Sequence, residues 1–277
     1  MRLVRTAGEL RAALAASSEG EIGLVPTMGA YHAGHVALLR AAREENDLLV
    51  VSLFVNPAQF DSGDDLAAYP RDEERDARIA AEAGTDILFV PSVDELYPPG
   101  YQTWIDVEEL SRGLEGAARP GHFRGVATVC CKLFNLVRPT RAYFGQKDAQ
   151  QVAVVRRMAR DLHLDVELRV LPTVRDEDGL ALSSRNVLLT PEERRRALAL
   201  PRALATRDPE RARELLDGVA VDYVEVEVTH HPPHDRDLLR VLLAEVRTGR
   251  TDEVEELAAD GRNPPEVPGA RGALEVA

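Results

Sequence analysis

Along residues 1–172 the apolar positions fall into two alternating kinds of segment. One kind is a short, nearly continuous run: 22–26 (IGLVP), 48–55 (LLVVSLFV), 86–90 (DILFV), 141–144 (RAYF) and 165–171 (DVELRVL). The longest of these, 48–55, has the character of a parallel strand covered on both faces. The other kind spaces its apolar residues about one helical turn apart. Residues 9–16, 34–45 (GHVALLRAAREE), 72–83, 126–136 and 150–162 read this way, and Gly84 supplies a stop after 83. Strands and helices alternating at this spacing predict βαβ units with right-handed crossovers. The expected fold is α/β, with a Rossmann-like, doubly wound parallel sheet.

The pattern changes after about Pro172. Thr190-Pro191-Glu192-Glu193 is a capping box with proline at the first helical position. The charged helix it opens is expected to end or kink at Pro201. Residues 210–216 form a second helix, and 221–228 (VDYVEVEV) alternate as a half-exposed strand does. The stretch 238–257 reads as an amphipathic helix interrupted near Gly249. Residues 230–234 (HHPPH) read as a loop, and 263–277, rich in Pro and Gly, as a loose tail. The expected organisation is one domain at 1–174 and a smaller α+β domain at 175–277.

Composition narrows the class. Lys and Arg number 34 against 47 Asp and Glu, giving a net charge of −13. That balance argues against a broad nucleic-acid face, whose phosphates need a basic surface. It leaves room for a local cationic pocket. Lysine occurs only at Lys132 and Lys147. Cys130 and Cys131 are sequence neighbours in an apolar stretch: a poor disulfide, an incomplete metal site, and a sign of a reducing compartment. Arg5, Glu9 and Arg11 break any apolar run at the N-terminus, and no window suits a membrane span. A cytoplasmic location is expected.

Candidate chemistry concentrates after the first apolar run. Residues 26–35 (PTMGAYHAGH) leave a strand and open a helix, where α/β sheets bind ligands. Gly29 and Gly34 let a nucleotide approach the backbone. His32 and His35 are three apart, so a helical first turn points both rings to one side. Two imidazoles there could hydrogen-bond the α-phosphate of ATP and stabilise charge developing on it. His-x-Gly-His in this setting is the hallmark of a nucleotidyltransferase superfamily. Lys147 follows a strand in Gly145-Gln146-Lys147-Asp148, and Arg185 follows two serines after a Gly179 turn, which suits a phosphate-gripping loop. Asp76 is a candidate to aid Mg²⁺, although its run of acids reads mainly as a solvated helix face. His163 reads as a helix-end residue. His230, His231 and His234 lack the spacing of a metal site.

PTMGAYHAGH, FVNPAQF with DLAAYPRD, RPGHFRGVATV, YFGQKDAQQ and LALSSRN stand in the order and spacing of the pantothenate synthetases. The chain resembles that family from about residue 1 to 206; from about 207 it diverges, beyond VDYVEV. The resemblance implies an ATP-dependent ligase that joins pantoate to β-alanine through a pantoyl-adenylate, with Mg²⁺ accompanying ATP. It implies an ATP site lined by Met28, Gly29, His32, Gly34 and His35, by Gly145, Lys147 and Asp148, by Val174, and by Leu182, Ser183, Ser184 and Arg185. His35 is the usual catalytic assignment, joined by His32, Lys147 and Arg185, and Gln59 and Gln151 would hold pantoate. His32, His35, Lys147, Arg185 and Mg²⁺ are expected to bring positive charge between two anionic substrates. His122 belongs to a motif at the wall of the site. A homodimer is implied, with no nucleic-acid or membrane partner.

Departures from the family are Gln146 for Glu, Ala149 for an aromatic, Leu182 for Met and Tyr31 for Leu. The family's closing strand, of Arg-Leu-Ile-Asp-Asn character, is missing, so a lid that shields the adenylate poorly is expected. Two other enzymes are weighed: a different His-x-Gly-His nucleotidyltransferase, against which Gln59 and Gln151 speak, and an aminoacyl-tRNA synthetase, which would need a basic face. A non-catalytic relative is the third alternative, and the intact catalytic set speaks against it.

Overall fold

The apolar runs become the strands of one parallel sheet in the computed structural model. It describes residues 1–17, 20–217, 219, 221–228, 240–248 and 272–276, with side chains described as far as residue 219. The strands are β1 (Arg2–Val4), β2 (Ile22–Thr27), β3 (Leu48–Leu53), β4 (Ile87–Phe89), β5 (Arg141–Gly145) and β6 (Glu167–Leu171). Their order is β1-β4-β3-β2-β5-β6, and every pairing is parallel. From β2 the chain winds outward through β3 and β4, then returns to the other side of β2 as β5 and β6. That reversal opens a crevice beyond the carboxyl end of β2.

The helices are α1 (Ala7–Ala15), α2 (Ala33–Glu45), α3 (Gly63–Ala68), α4 (Glu73–Glu82), α5 (Val93–Leu96), α6 (Glu115–Ala118), α7 (His122–Val137), α8 (Ala149–Asp161), α9 (Pro191–Ala197), α10 (Ala199–Thr206) and α11 (Pro209–Leu215). Successive strand residues point to opposite faces, so Leu24 and Val50 enter one core with α1, α7 and α8. Val25, Leu49 and Val51 enter the other, with Leu39 and Ala42 of α2 and Ala80 of α4. A sheet covered on both sides explains why 48–55 shows no polar alternation. Cys130 and Cys131 are buried free thiols on α7. Among the described residues no helix is long and apolar enough to cross a membrane.

After β6 the Thr190 capping box forms as expected, with Glu193 at its third position. The helix breaks three residues before Pro201: α9 ends at Ala197 and α10 follows, with Pro201 in its first turn. Proline offers no N–H to the carbonyl four residues back, which is that of Ala197. A second, antiparallel sheet holds β7 (Val221–Val228), β8 (Arg240–Thr248) and β9 (Gly272–Val276) in that order. The helix expected over 238–257 is therefore overturned at 240–248, which is a strand. Its apolar run fits either period, and pairing with β7 and β9 decides the outcome. The loose tail is corrected likewise at 272–276, where a closing strand does form. The loop at 230–234 and the remainder of 249–271 lie outside the described residues.

The connection from β2 to α2 sets the crevice's shape. Gly29 (φ 91°) and Ala30 (φ 53°) both adopt left-handed backbone. A Cβ on Gly29 would sit 2.6 Å from Leu53 Cδ1 and 2.8 Å from Asp76 Oδ2, so glycine is required. Asp76 Oδ2 accepts from the Ala30 N–H at 2.7 Å, and Oδ1 from the Tyr31 N–H at 2.9 Å. Tyr31 is buried in the α2–α4 core, its hydroxyl 3.0 Å from Thr27 Oγ1. The assignment of Asp76 to Mg²⁺ is corrected here. Its side chain is 1 % exposed and both oxygens are committed to the loop. Asp76→Ala is expected to lower the free energy of unfolding by about 2–4 kcal/mol, because two N–H groups lose a charged acceptor. Asp76→Asn should fall between. Denaturant titration measures this, and a variant as stable as the parent would show that the turn holds without the carboxylate.

Candidate active site

The crevice is walled by the carboxyl ends of four strands: Pro26 and Thr27 of β2 with Met28 after it, Ser52 and Phe54 at β3, Phe144 and Gly145 at β5, and Thr173 and Val174 beyond β6. His32 is the N-cap of α2, and its Nδ1 accepts from the Gly34 N–H at 3.1 Å. His35 Nδ1 accepts from the His32 N–H at 3.3 Å. The pair forms a capping box built from imidazoles. A nitrogen that accepts carries no proton, so each neutral ring keeps its proton on Nε2; this tautomer is assigned from the partners. The ring centroids are 4.2 Å apart, and both rings line the crevice.

Burial, reinforced by Lys147, lowers the pKa of His32 to about 4. Burial, then His32 and Lys147, lowers that of His35 to about 3. At neutral pH both are uncharged donors at a helix N-terminus, where the backbone dipole adds partial positive charge. The expectation that they bring full positive charge is corrected: the cations lining the free site include Lys147, Arg185 and Arg119.

Lys147 lies in the 3₁₀ turn after β5, its Nζ 2.5 Å from Asp148 Oδ1. Arg185 lies in the 3₁₀ segment Ser184–Leu188, where the Ser183 hydroxyl accepts from its N–H at 3.3 Å. Its Nη2 donates to Asp65 Oδ2 at 3.0 Å. Its guanidinium carbon is 5.8 Å from the Phe60 ring centroid and 5.5 Å from that of Tyr69. Ser184 Oγ donates to the Ala30 carbonyl at 3.1 Å, tying this segment to the histidine loop.

Gln59 ends the 3₁₀ turn Pro57–Gln59. Its Oε1 accepts from Asn56 Nδ2 at 3.0 Å, and its Nε2 lies 3.2 Å from Met28 Sδ. A thioether is a weak acceptor, so a ligand oxygen can take this N–H readily. Gln151, in the first turn of α8, lines the same crevice, as do Leu182 and Ser183. Of the expected site residues, Gly29 and Asp76 alone lie behind the wall rather than on it. The sequence reading missed Asn56, Tyr69 and Arg119, which also line the crevice. All three stand inside the quoted motifs, which was the available signal. Val126, Val129, Cys130 and Leu133 of α7 make an apolar end. Among the described residues no three His, Cys, Asp or Glu side chains gather to hold a metal. The arrangement suits a polyphosphate against neutral and cationic donors, beside a compact ligand with an apolar body and a few polar groups.

Known proteins share this architecture. The family model for pantoate-beta-alanine ligase matches residues 2–259, past residue 206 where the motif resemblance was expected to fade. A pantothenate synthetase of Heliobacterium modesticaldum is 59% identical over 220 residues, covering 79% of this chain and 76% of that protein. The pantothenate synthetase structure from Thermus thermophilus matches with a TM-score of 0.79 at 49% identity, covering 89% of this chain and 94% of that one. The pantoate-beta-alanine ligase of Francisella tularensis, solved in complex with beta-gamma ATP and beta-alanine, matches with a TM-score of 0.78 at 32% identity, covering 89% and 93%. By its motifs, its sheet and the extent of these matches, the chain belongs to the pantoate–β-alanine ligase family.

Proposed function

We propose that the chain joins pantoate to β-alanine in two steps at this crevice, as part of pantothenate and coenzyme A biosynthesis. The carboxylate of pantoate attacks the α-phosphorus of ATP and pyrophosphate leaves. The amine of β-alanine then attacks the pantoyl-adenylate carbonyl and AMP leaves. The observation that carries this reading is the pair of Nε2–H donors at the start of α2, facing the crevice that Gln59 and Gln151 also line. Such donors strengthen as charge grows on the phosphoryl oxygens in the transition state. Lys147 and Arg185 exchange Asp148 and Asp65 for phosphate oxygens. Gly145, Asp148, Val174, Leu182, Ser183 and Ser184 border the nucleotide. Gln59 and Gln151 hold pantoate by its polar groups, and the apolar end made by α7 receives its carbon skeleton.

Mg²⁺ enters as part of the ATP substrate, because this ion keeps several waters and is bound largely through substrate phosphates. The proposal also divides the chain at about residue 174 into a nucleotide- and pantoate-binding domain and a lid-like C-terminal domain. Supporting the division, Leu180, Ala197, Leu200, Ala203 and Leu216 form an apolar cluster of their own. It further includes a homodimer in the cytoplasm, with small molecules as the remaining partners.

The defining experiment is pyrophosphate release from ATP, expected to require pantoate and to yield AMP when β-alanine is added. Release with another acid but not with pantoate would favour a different nucleotidyltransferase. His35→Ala should slow adenylation by roughly two to three decades while thermal stability holds. Near-normal pyrophosphate release would remove His35 from the chemistry.

The free-enzyme profile, kcat/KM against pH, reports the unliganded ionisations. With His32 and His35 lowered to about 4 and 3, both stay neutral from pH 6 to 8. They should contribute no inflection near the usual histidine value of about 6.5. An inflection there that disappears in His35→Ala would contradict the assignment.

Closure follows from β9, which passes beside the 3₁₀ segments at 146–148 and 184–188. A strand in that position shields an adenylate from water, contrary to the leaky lid expected from the missing family motif. Pyrophosphate and pantothenate should therefore form one-to-one even at limiting β-alanine. An excess of pyrophosphate would show that the strand does not seal the site.

A further inference from the structure

Where Arg119 and His122 line the crevice lies a buried charged cluster that none of the steps above uses. Glu115, at the start of α6, is 1 % exposed, and Arg119 just after that helix is 6 % exposed. Glu115 Oε1 accepts from Arg119 Nη1 at 2.6 Å. The other two guanidinium nitrogens also face protein acceptors: Nε donates to Asp61 Oδ2 at 3.1 Å and Nη2 to the Gln59 carbonyl at 3.1 Å. His122 Nδ1 donates to that same carbonyl at 2.8 Å. The turn carrying Gln59 is pressed onto α7 at Gly125, where a Cβ would collide with the Ala58 carbonyl oxygen. Asn56 Nδ2 bonds the Gly125 carbonyl at 3.1 Å.

Glu115 also reaches Gln150, the sequence neighbour of the other glutamine. Its backbone N–H donates to Gln150 Oε1 at 3.1 Å, and Gln150 Nε2 bonds the carbonyls of Leu110 and Gly113 at 2.9 Å each. Gln150 immediately precedes Gln151 in the first turn of α8. Glu115 is thus linked through Arg119 to the Gln59 carbonyl and through its own backbone to Gln150, one residue before Gln151. A buried ion pair adds little stability beyond what apolar residues of equal volume would. The arginine fork reaches acceptors on separate segments in fixed geometry, which lysine's point charge does not.

We propose that Glu115, Arg119 and His122 form a positioning unit that sets the separation of Gln59 and Gln151 and so governs recognition of the hydroxy acid. The inference rests on the functional reading above and deepens it. It predicts a selective defect. In pantoate-dependent pyrophosphate release by the full chain, Glu115→Gln and Arg119→Lys should raise the KM for pantoate about ten- to a hundredfold, the scale of a small misplacement. The KM for ATP should hold. His122→Ala should share the defect, and His122→Asn, which keeps a donor for the Gln59 carbonyl, should recover most of it. This pair tests the unit even if the ion-pair variants do not fold. Because the unit acts through Gln59, Glu115→Gln should add little to Gln59→Ala. Equal KM increases for both substrates, failure of the asparagine rescue, or additive effects would overturn the proposal. A parent chain that releases no pyrophosphate with pantoate, or does so with other acids alone, would instead overturn the functional reading and this inference with it.

Discussion

The buried carboxylate of Asp76 holds the turn on which the rest of the site depends. A non-glycine residue in left-handed backbone costs about 1–2 kcal/mol, and Ala30 occupies that region at φ 53°. Hydrogen bonds to a charged acceptor contribute about 1.5–3 kcal/mol each, and Asp76 accepts two from this turn. The clamp therefore outweighs the strain. With the turn fixed, His32 lands in the extended conformation of an N-cap. Both Nδ1 atoms are then occupied by backbone N–H groups, which leaves both Nε2–H groups for the crevice. An acid expected to carry a metal instead shapes the loop that carries the chemistry.

The electrostatics follow from the same economy of position. The chain carries a net charge of −13, so its distant field repels the anionic substrates. That field is screened beyond about 8 Å at physiological salt, and attraction has to be local. Two neutral imidazoles add donors without a buried charge. Lys147 and Arg185 each rest against an aspartate, so under the proposed function each would exchange one oxygen partner for another. Two cations facing the crevice without such partners would repel one another and raise the cost of the empty state. The aspartates keep them in place in the free site.

Much of this was legible in the sequence. Runs such as 22–26 and 48–55 and helices such as 150–162 came out within about two residues of β2, β3 and α8, because burial on both sheet faces leaves an unmixed apolar signal. The Thr190 box was legible to the residue, since capping is a local interaction. The C-terminal strand β8 was not. Its run of leucines and valines fits a helix as well as a strand, and only distant partners decide between them. The three residues of β1 are too few to show any period. At the site, the motifs named the residues but not their states. The depressed pKa values of the histidines come from burial by elements far apart in the chain. The role of Asp76 depends on where α4 packs.

The switch in strand order places Gln59 and Gln151 on opposite sides of one strand. The histidine loop leaves β2 at the centre of the sheet. Lys147 and Gln151 follow β5 on one side of it, whereas the turn bearing Gln59 follows β3 on the other. An acid held between Gln59 and Gln151 must therefore lie across the end of β2, directly over the two imidazoles. Orientation of this kind can supply about 7–11 kcal/mol of a bimolecular barrier, but only if both sides are rigid. On the Gln151 side, rigidity comes from the backbone of α8. On the Gln59 side a single 3₁₀ turn has no such support of its own; Arg119 and His122, which donate to the Gln59 carbonyl, and the Asn56 amide, which donates to the Gly125 carbonyl, supply it. This 3₁₀ turn is thus held by side chains, as it must be if two segments more than ninety residues apart are to hold one small molecule.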